Sequence, residues 1–358
     1  MRIGIVGPSD ERVPPVRYGG TEVQVSNLAE GLVEEGHDVT LFASGDSETS
    51  ATLHATTPHA VRVLPEAADF DTRRRLNRTA LKAGLRHIRD NQDAFDVIHT
   101  HTFPPELVIR ASRIMNLTIP LVCTPHSRLD LSMYKRLQQN YPDAPFVSIS
   151  NAQREPAPDL NYIATVYNGI KIPEYEVNES PGEDLLFVGR MCPEKDPLSA
   201  IEIAKKTGRR LIMAAKVDPI NRDYFETEVE PAIDSSKDIE YIGEITPAER
   251  DELLRDAYAL VAPINWPEAF GMFVAEAMAA GVPVVGRRRG ALPELINEDE
   301  EKRTGYLGET VDEMANYVEK VEGLDRQGCR DHVELNFTAK KMVQGYISVY
   351  RQLLSQTA

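Results

Sequence analysis

The sequence has few cysteines and no long apolar segment. Cys123, Cys192 and Cys329 lie far apart and form no C-x-x-C pair, which argues against both a disulfide framework and a thiolate metal site. We expect them to be buried thiols. Residues 1–6 are too short an apolar run for a signal peptide, and no later run approaches the roughly 18 apolar residues of a membrane span. We therefore expect a cytoplasmic protein.

Positive charge is also scarce. The chain contains 40 Lys and Arg and 56 Asp and Glu, which gives a formal net charge of -16. The surface as a whole therefore repels phosphate backbones, and nucleic acid is not an expected partner. Hydrophobic residues make up 42% and charged residues 27% of the chain, a balance typical of folded globular proteins. At 358 residues the chain exceeds the size of a single hydrophobic core, which predicts two domains.

Short Val/Ile/Leu runs alternate with segments of helical length up to about residue 310. This alternation predicts repeated β-α units and parallel sheets. The predicted strands are near 2–6, 38–43, 96–100, 119–123, 145–149 and 163–166, and then 185–189, 210–215, 239–243, 258–264 and 282–286.

The predicted domain boundary lies between these two sets of strands. Residues 171–184 lose the apolar period and gather Pro, Gly and acidic residues, as linkers do. We predict an N-terminal domain over 1–170 and a second doubly wound domain over 185–337. Apolar residues from Met342 to Leu353 recur at helical spacing, so a final helix over 338–358 is expected to pack back on the first domain.

The first loop after a strand leads into a helix through two glycines. Open parallel sheets bind ligands at the carboxyl ends of their strands, and Gly19 and Gly20 precede a helix expected to begin near Thr21. Thr21 and Gln24 have the spacing of a capping box. Glycines there let a phosphate or sugar approach unpaired backbone N–H groups. A tight turn without a ligand stays open, because the G-x-G-x-x-G fingerprint is absent.

Three histidines follow two neighbouring strand signals. His99 and His101 should face the same side of an extended segment, and His126 follows the next strand. Three histidines can bind a metal, but no carboxylate or cysteine at ligand spacing accompanies them. We favour a polar ligand contact by at least one of them.

The second half carries two cations on one loop. Gly189 and Arg190 end a predicted strand and Lys195 follows. Such a pair suits a diphosphate, because Arg can contact two oxygens and Lys acts as a point charge. The alternative is a solvated charge pair with Glu194 or Asp196.

Two carboxylates follow a later strand. Glu268 should lie in a loop and Glu276 inside a helix beginning near Phe270. Each can accept hydrogen bonds from a diol, one on a hexose and one on a ribose, while the helix N-terminus faces a diphosphate. The apolar neighbours of Glu276, among them Val274 and Met278, argue against a merely exposed position.

The E-x7-E pattern of Glu268 and Glu276 resembles the signature of the retaining glycosyltransferases of family 4. Their fold is GT-B, of the glycogen-phosphorylase-like superfamily: α/β, with two doubly wound Rossmann-like domains facing across a cleft. The resemblance covers nearly the whole chain. Further matching segments are Tyr18–Glu22, Thr124–His126, Ser148–Asn151, Val166–Ile170, Gly189–Arg190 with Lys195, and Gly290–Glu294.

The resemblance implies roles for individual residues. Arg190 and Lys195 would neutralise the donor diphosphate as it leaves, Glu276 would hold the ribose, and Glu268 the transferred sugar. His126 would line the sugar pocket near the reacting carbon. The implied catalytic residues are His126, Arg190, Lys195 and Glu268. The implied donor-binding residues are Gly19, Gly20, Gly189, Arg190, Lys195, Glu268, Phe270, Gly271 and Glu276. The implied acceptor or sugar pocket comprises His101, Asn151 and Asn168. The family needs neither a metal nor a cofactor.

Two charged segments depart from the family pattern, and a third resembles the motif of a different transferase fold. Asp69-Phe70-Asp71 has the D-x-D form of a metal-dependent transferase fold, but without a strand signal we interpret it as a surface loop. The acidic stretch 297–303 and the run Arg287-Arg288-Arg289 are the departures, and whether they alter donor or acceptor choice stays open.

The predicted reaction moves a hexosyl unit from a nucleotide-diphosphate sugar, a UDP-sugar being favoured, to a hydroxyl acceptor. Alternatives on the same fold are a sugar phosphorylase, a nucleotide-sugar epimerase and a catalytically silent binder. The acceptor, the linkage and the oligomeric state stay open. No basic amphipathic helix stands out to favour a lipid-linked acceptor, so peripheral membrane contact is left as an open question.

Overall fold

Two parallel β-sheets, each flanked by its own helices, make up the chain. The computed structural model describes residues 1–357 apart from Tyr18, Ala68 and Pro181. Strands buried on both faces are rich in Val, Ile and Leu, as parallel sheets require. In chain order the strands are β1 (Arg2–Val6), β2 (Asp38–Ser44), β3 (Thr52–Thr57), β4 (Val97–Thr100), β5 (Leu121–Cys123), β6 (Phe146–Ser148), β7 (Tyr162–Thr165), β8 (Leu185–Arg190), β9 (Leu211–Lys216), β10 (Ile239–Gly243), β11 (Ala259–Ala262), β12 (Val284–Arg287) and β13 (Gly305–Gly308).

Helices connect the parallel strands. A π-helical turn, Phe225–Val229, lies between α6 and α7. The α-helices are α1 (Gly20–Glu34), α2 (Phe70–Asp90), α3 (Glu106–Ile114), α4 (Ser132–Asn140), α5 (Pro197–Thr207), α6 (Arg222–Tyr224), α7 (Glu230–Asp234), α8 (Pro247–Asp256), α9 (Met272–Ala279), α10 (Leu292–Leu295), α11 (Val311–Val318), α12 (Arg326–Asn336) and α13 (Ala339–Thr357). Within the described residues no helix is both long and apolar enough to cross a bilayer.

The first compact unit comprises Met1–Gly169 together with the C-terminal residues from Ala339 onward. Its seven strands have the order β3-β2-β1-β4-β5-β6-β7, and every pair is parallel. Helix α13 lies beside α1, and its Met342, Tyr346 and Tyr350 enter the same core as Ile3 and Leu28. The last helix of the sequence is therefore part of the first unit.

The second unit comprises Ile170–Thr338. Its six parallel strands have the order β10-β9-β8-β11-β12-β13. Leu185 and Val261 of the sheet pack with Ile201 of α5 and Met314 of α11. In each sheet, later strands are added on both sides of the first strand, β1 or β8. This order confirms the predicted α/β class with two doubly wound sheets.

Two strands and one helix were missed by the sequence analysis. Strands β3 and β13 are edge strands; β3 is a polar, half-exposed segment and β13 is Gly-Tyr-Leu-Gly, so neither carries a strong apolar run. The prediction of a surface loop at Asp69-Phe70-Asp71 is wrong, because Asp69 is the N-cap of the 21-residue helix α2 and accepts a hydrogen bond from the Thr72 N–H at 2.9 Å.

Two predicted helix starts also need correction. The capping box of Thr21 and Gln24 does not form: α1 begins at Gly20 with no side-chain cap, and the Gln24 amide instead bonds the backbone N–H and C=O of Gly169 at 2.8 and 3.0 Å. Helix α9 begins at Met272 rather than near Phe270, because Gly271 at its N-cap has φ 98°, outside the right-handed helical region. Tyr18, part of the quoted glycine motif, lies outside the described residues.

Candidate active site

The cationic loop of the second unit follows the first strand of its sheet. Arg190 ends β8, and Lys195 lies in the following turn with only 6% of its surface exposed. Arg190 is in register with Lys216 at the end of β9. Asp218 lies between the two cations, with its carboxylate 3.6 Å from Arg190 Nη1 and 3.1 Å from Lys216 Nζ. Sequence reasoning missed Lys216 and Asp218, although Lys216 directly follows the predicted strand 210–215.

Lys195 forms an ion pair with Glu268, not with Glu194 or Asp196. The Lys195 ammonium donates to Glu268 Oε2, and both side chains are buried, 7% and 12% exposed. Trp266 Nε1 donates to the same carboxylate at 3.2 Å, and the Lys195 ammonium lies 4.3 Å from the centre of the Phe273 ring. The structure therefore brings together two predicted site residues that are 73 positions apart.

The loop of Glu268 is fixed by two glycines. Gly271, in the left-handed region, ends the loop and begins α9. Gly290 has φ 54° and lies so close to the backbone of Glu268 that a Cβ there would overlap it. The next residue, Ala291, donates its N–H to the Glu268 carbonyl at 2.9 Å. The Gly290 segment thus holds the Glu268 backbone directly, which explains why glycine is needed there.

Glu276 lies on α9 and faces α8. Its Oε1 accepts from Arg250 Nη1 at 2.7 Å, and Arg250 also bonds Asp251 at 2.9 Å. The Glu276 side chain is 16% exposed. Burial raises the pKa of Glu276 above its usual value, and Arg250 opposes the rise. Sequence reasoning predicted the position of Glu276 within a helix but missed Arg250, because nothing in the polar pattern of α8 distinguishes it.

Phe270 contributes to the core of the second unit. Its side chain is 2% exposed and packs edge-on against Phe337, with ring centroids 6.0 Å apart. Any donor contact at this position would involve its backbone. Gly189 lies under the aliphatic part of Lys195, whose Cγ is 3.8 Å from where a Cβ of Gly189 would be.

Arg287 is a buried partner of the cationic loop. Its Nη1 lies 3.1 Å from Asp196 Oδ2, next in sequence to Lys195, with side-chain exposures of 10% and 18%. Its Nη2 lies 3.4 Å from Ser199. Arg288 pairs with Glu298 of the acidic stretch at 2.8 Å. The structure thus gives Arg287 and Arg288 protein partners within the unit.

In the first unit, Gly19 and Gly20 form the N-terminus of α1. A Cβ on Gly19 would come within 2.9 Å of Pro15 and of the Glu22 carboxylate, whereas one on Gly20 would have no described neighbour within 4 Å. Gly19 is therefore required by close packing, and Gly20 leaves open space at the helix N-terminus.

The three histidines form a row at the carboxyl ends of β4 and β5, in which His99 and His101 are buried and His126 is half-buried. His99 bonds the Tyr350 hydroxyl at 2.7 Å and Thr124 at 2.8 Å, so both of its ring nitrogens have protein partners. His101 Nδ1 bonds His126 Nε2 at 2.8 Å. Burial lowers the pKa of His99 to about 3 and that of His126 to about 4. Among the described residues no three His, Cys, Asp or Glu side chains are grouped as metal ligands would be.

Among the buried side-chain polar atoms of the first unit that lack a partner among the described residues, two belong to predicted site residues. They are His101 Nε2 and Asn168 Oδ1, each on a side chain of a residue 4% exposed. Buried polar atoms are nearly always hydrogen-bonded, so both atoms are suited to contact a polar ligand. Asn151 bonds the Tyr167 hydroxyl through Nδ2 at 3.2 Å.

Two family models match consecutive parts of the chain. The model described as Glycosyltransferase Family 4 matches residues 18–170, and the model described as Glycosyl transferases group 1 matches residues 171–327. The chain belongs to glycosyltransferase family 4. This confirms the family that the E-x7-E pattern and its neighbouring motifs predicted, and the protein is a glycosyltransferase.

Known relatives of this glycosyltransferase extend over most of its length. It is 25% identical over 315 residues to phosphatidyl-myo-inositol mannosyltransferase of Mycobacterium leprae, which covers 84% of this chain and 82% of that protein. Among solved structures, AviGT4, a glycosyltransferase involved in avilamycin A biosynthesis, has a TM-score of 0.71 at 22% identity, covering 99% and 98% of the two chains. HepE of Anabaena, in complex with UDP and glucose, has a TM-score of 0.73 at 17% identity, covering 98% and 99%. These similarities confirm the GT-B fold.

Proposed function

We propose that this glycosyltransferase moves a hexosyl unit from a nucleotide-diphosphate sugar, a UDP-sugar being favoured, to a hydroxyl acceptor with retention at the anomeric carbon. The observation that carries the proposal is the buried pair of Lys195 and Glu268. A cation for phosphate and a carboxylate for sugar hydroxyls lie in contact there, at the carboxyl end of a parallel sheet.

The diphosphate would bind to the cationic loop. Arg190 and Lys195 would contact its oxygens, with Lys216 adding charge at the same sheet edge. As the bond from the anomeric carbon to the diphosphate breaks, negative charge grows on the leaving oxygen, and fixed cations in a water-poor site stabilise it. These side chains would supply that charge in a reaction that uses no metal ion.

Glu268 and Glu276 would bind the two sugars of the donor. Glu268, already held by Lys195 and Trp266, would accept from hydroxyls of the transferred hexose. Glu276 would accept from the ribose hydroxyls, with Arg250 stabilising its charged form. Gly271 is the N-cap of α9, and the partial positive charge of that helix N-terminus would favour the diphosphate.

The acceptor would contact the first unit. His126 and His101 are coupled by a hydrogen bond, and His101 Nε2 and Asn168 Oδ1 offer polar contacts. Gly20 leaves room at the start of α1, and Asn151 would contribute from the loop after β6. In the transfer step the acceptor oxygen bonds the anomeric carbon, the carbon–diphosphate bond breaks, and the acceptor proton passes to the leaving diphosphate.

The preference for UDP is supported by a structural relative. The Anabaena protein of the same fold is described in complex with UDP and glucose. A thermal-shift comparison of UDP, GDP, ADP and dTDP tests the base, because a ligand that binds only the folded state raises the melting temperature. We expect a shift with UDP alone.

Two variants test the roles of the ion pair. Lys195→Ala should lose the UDP shift and slow the release of UDP from a UDP-sugar roughly 100- to 1,000-fold, as expected for loss of a stabilising group at a developing charge. Glu268→Gln should keep the UDP shift but lose the additional shift that a UDP-sugar gives. Lys237→Ala, an exposed lysine of the same unit, serves as control.

The outcomes separate the proposal from its alternatives. Full UDP binding by Lys195→Ala would refute the assignment of the diphosphate site. A phosphorylase would release a sugar phosphate only when inorganic phosphate is added, and an epimerase would convert the donor without releasing UDP. Proton NMR of the sugar first released to water would show whether its anomeric configuration is that of the donor.

A further inference from the structure

The Glu268 carboxylate uses only one of its two oxygens for contacts within the protein. Oε2 accepts a hydrogen bond from the Lys195 ammonium and a second one from Trp266 Nε1 at 3.2 Å. Oε1 accepts no hydrogen bond from the described residues and is not a buried atom. A carboxylate oxygen has two lone pairs, so Oε2 is fully used and Oε1 is the oxygen available to a ligand.

Trp266 is held beside this carboxylate by contacts within the second unit. The preceding residue, Asn265, donates its backbone N–H to the carbonyl of Glu194 at 2.8 Å, which ties the loop after β11 to the cationic loop. The Lys195 ammonium lies 5.9 Å from the centre of the half-buried Trp266 ring, a distance typical of a cation–π contact. The two loops therefore place the indole N–H at Glu268.

The two donors to Oε2 differ in how many partners they can serve. An ammonium has three N–H groups on a flexible stem, and Lys195 is also proposed to contact the diphosphate. The indole has one N–H group and no acceptor, and Trp266 uses that group for Glu268. Trp266 is thus the partner that can keep the carboxylate oriented while Lys195 contacts the diphosphate.

We propose that Trp266 is a positioning residue that determines which hexose the donor carries. By occupying Oε2 it leaves Oε1 alone to accept from the sugar, so Glu268 bonds a hydroxyl in one direction only. An epimer whose hydroxyl points away from Oε1 finds no second free oxygen, and its unpaired hydroxyl lowers its affinity. The inference rests on the proposed function, in which Glu268 binds the transferred hexose.

The test changes a single group of the full chain. Trp266 is the only tryptophan, so expression in a tryptophan auxotroph supplied with an analogue alters this site alone. In β-(3-benzothienyl)alanine a sulfur atom takes the place of the indole N–H, whereas 5-fluorotryptophan keeps the N–H and is the matched control. Isothermal titration calorimetry with UDP, UDP-glucose and UDP-galactose measures the Kd of each.

We expect the benzothienyl protein to lose sugar affinity but not nucleotide affinity. The Kd of the tighter-binding UDP-sugar should rise about 10-fold, as for loss of one hydrogen bond to a charged group, while that of UDP changes less than about twofold. The Kd ratio of the two epimers should move towards one, because Oε2 regains a lone pair. The fluorinated protein should match the parent, and its single fluorine-19 resonance should shift more with a UDP-sugar than with UDP.

The outcomes distinguish this inference from the proposed function. Equal UDP-sugar affinities and an equal epimer ratio in the two substituted proteins would overturn the role of Trp266 and leave the donor site intact. Equal weakening of UDP and UDP-sugars would overturn it too, since it would indicate general damage to the site. Trp266→Phe, checked by circular dichroism and thermal unfolding, should reproduce the benzothienyl result. If the parent bound none of the three probes, the proposed UDP-sugar donor would be refuted and this inference with it.

Discussion

Ion pairs in the second unit join residues that are distant in the sequence. Lys195 meets Glu268, Arg250 meets Glu276, and Arg287 meets Asp196. In each pair one member is a residue proposed to bind the donor, or is the neighbour of such a residue in the sequence. Its partner limits how that side chain or its loop can move. A buried charge is expensive without a partner, so these pairs make the donor loops dependent on one another.

Arg287 offers a prediction at this scale. Arg287→Met should destabilise the second unit by about 2 kcal/mol, because it removes the cationic partner of the half-buried Asp196 carboxylate, which keeps only its hydrogen bonds from Ser199. The double variant Arg287→Met/Asp196→Asn should recover much of that loss: asparagine keeps the helix cap and tolerates the φ of 53° at this position. Urea unfolding followed by the fluorescence of Trp266, the single tryptophan, measures both. Equal stability of the single and double variants would contradict the argument.

At the scale of elements, helix α13 is held on the first sheet by buried polar contacts as well as apolar ones. Tyr350 bonds His99 of β4 at 2.7 Å, and Tyr346 bonds Thr124 after β5 at 3.2 Å. His99 is wholly buried, so its charged form would be costly. The docking of the last helix on the sheet therefore depends on a neutral histidine.

This dependence predicts a pH effect. The pKa of His99 is lowered to about 3, against roughly 6.5 when unfolded, so the unfolded chain takes up a proton first. The stability that neutral His99 contributes is full above the unfolded pKa and is lost as pH falls from there towards the folded pKa. His99→Gln keeps one donor and one acceptor. It should lower the slope of unfolding free energy against pH by up to about 1.4 kcal/mol per unit.

Urea unfolding between about pH 7 and pH 5.5 measures this slope, in a range above the usual pKa of carboxylates. Circular dichroism follows both units, and Trp266 fluorescence identifies the unfolding of the second one. His59→Gln, which changes a histidine side chain that is 64% exposed, is the control and should leave the slope unchanged. If His99→Gln left the slope of unfolding free energy against pH unchanged, the pKa of His99 would not be lowered in the folded protein.

Elements differed in how well the sequence predicted them. Strands β8 and β11 lie inside their sheet and carry the unbroken apolar runs 185–188 and 259–262, which identified them. Helix α2 has only Ala80, Gly84, Leu85 and Ile88 fully buried, so its apolar period was hidden among arginines and the D-x-D triplet at its start was misinterpreted.

At the scale of the whole molecule, the chain consists of two compact units, and the residues assigned to donor binding are nearly all in the second. UDP binding is therefore expected to protect backbone amides from hydrogen exchange mainly in residues 189–196 and 268–276. The protection should disappear in Lys195→Ala. Protection limited to the first unit would contradict the assignment of the donor site.

The sequence by itself determined the α/β class, the family and the identity of Arg190, Lys195, Glu268 and Glu276 as site residues to be tested. These depend on local apolar periods and on motifs whose residues lie close together along the chain. Only the tertiary structure decided which charges pair, that Phe270 is a core residue, and that Lys195 and Trp266 bond the same oxygen of Glu268. Such facts depend on contacts between distant segments and on burial, and neither is encoded in the spacing of residues within one segment.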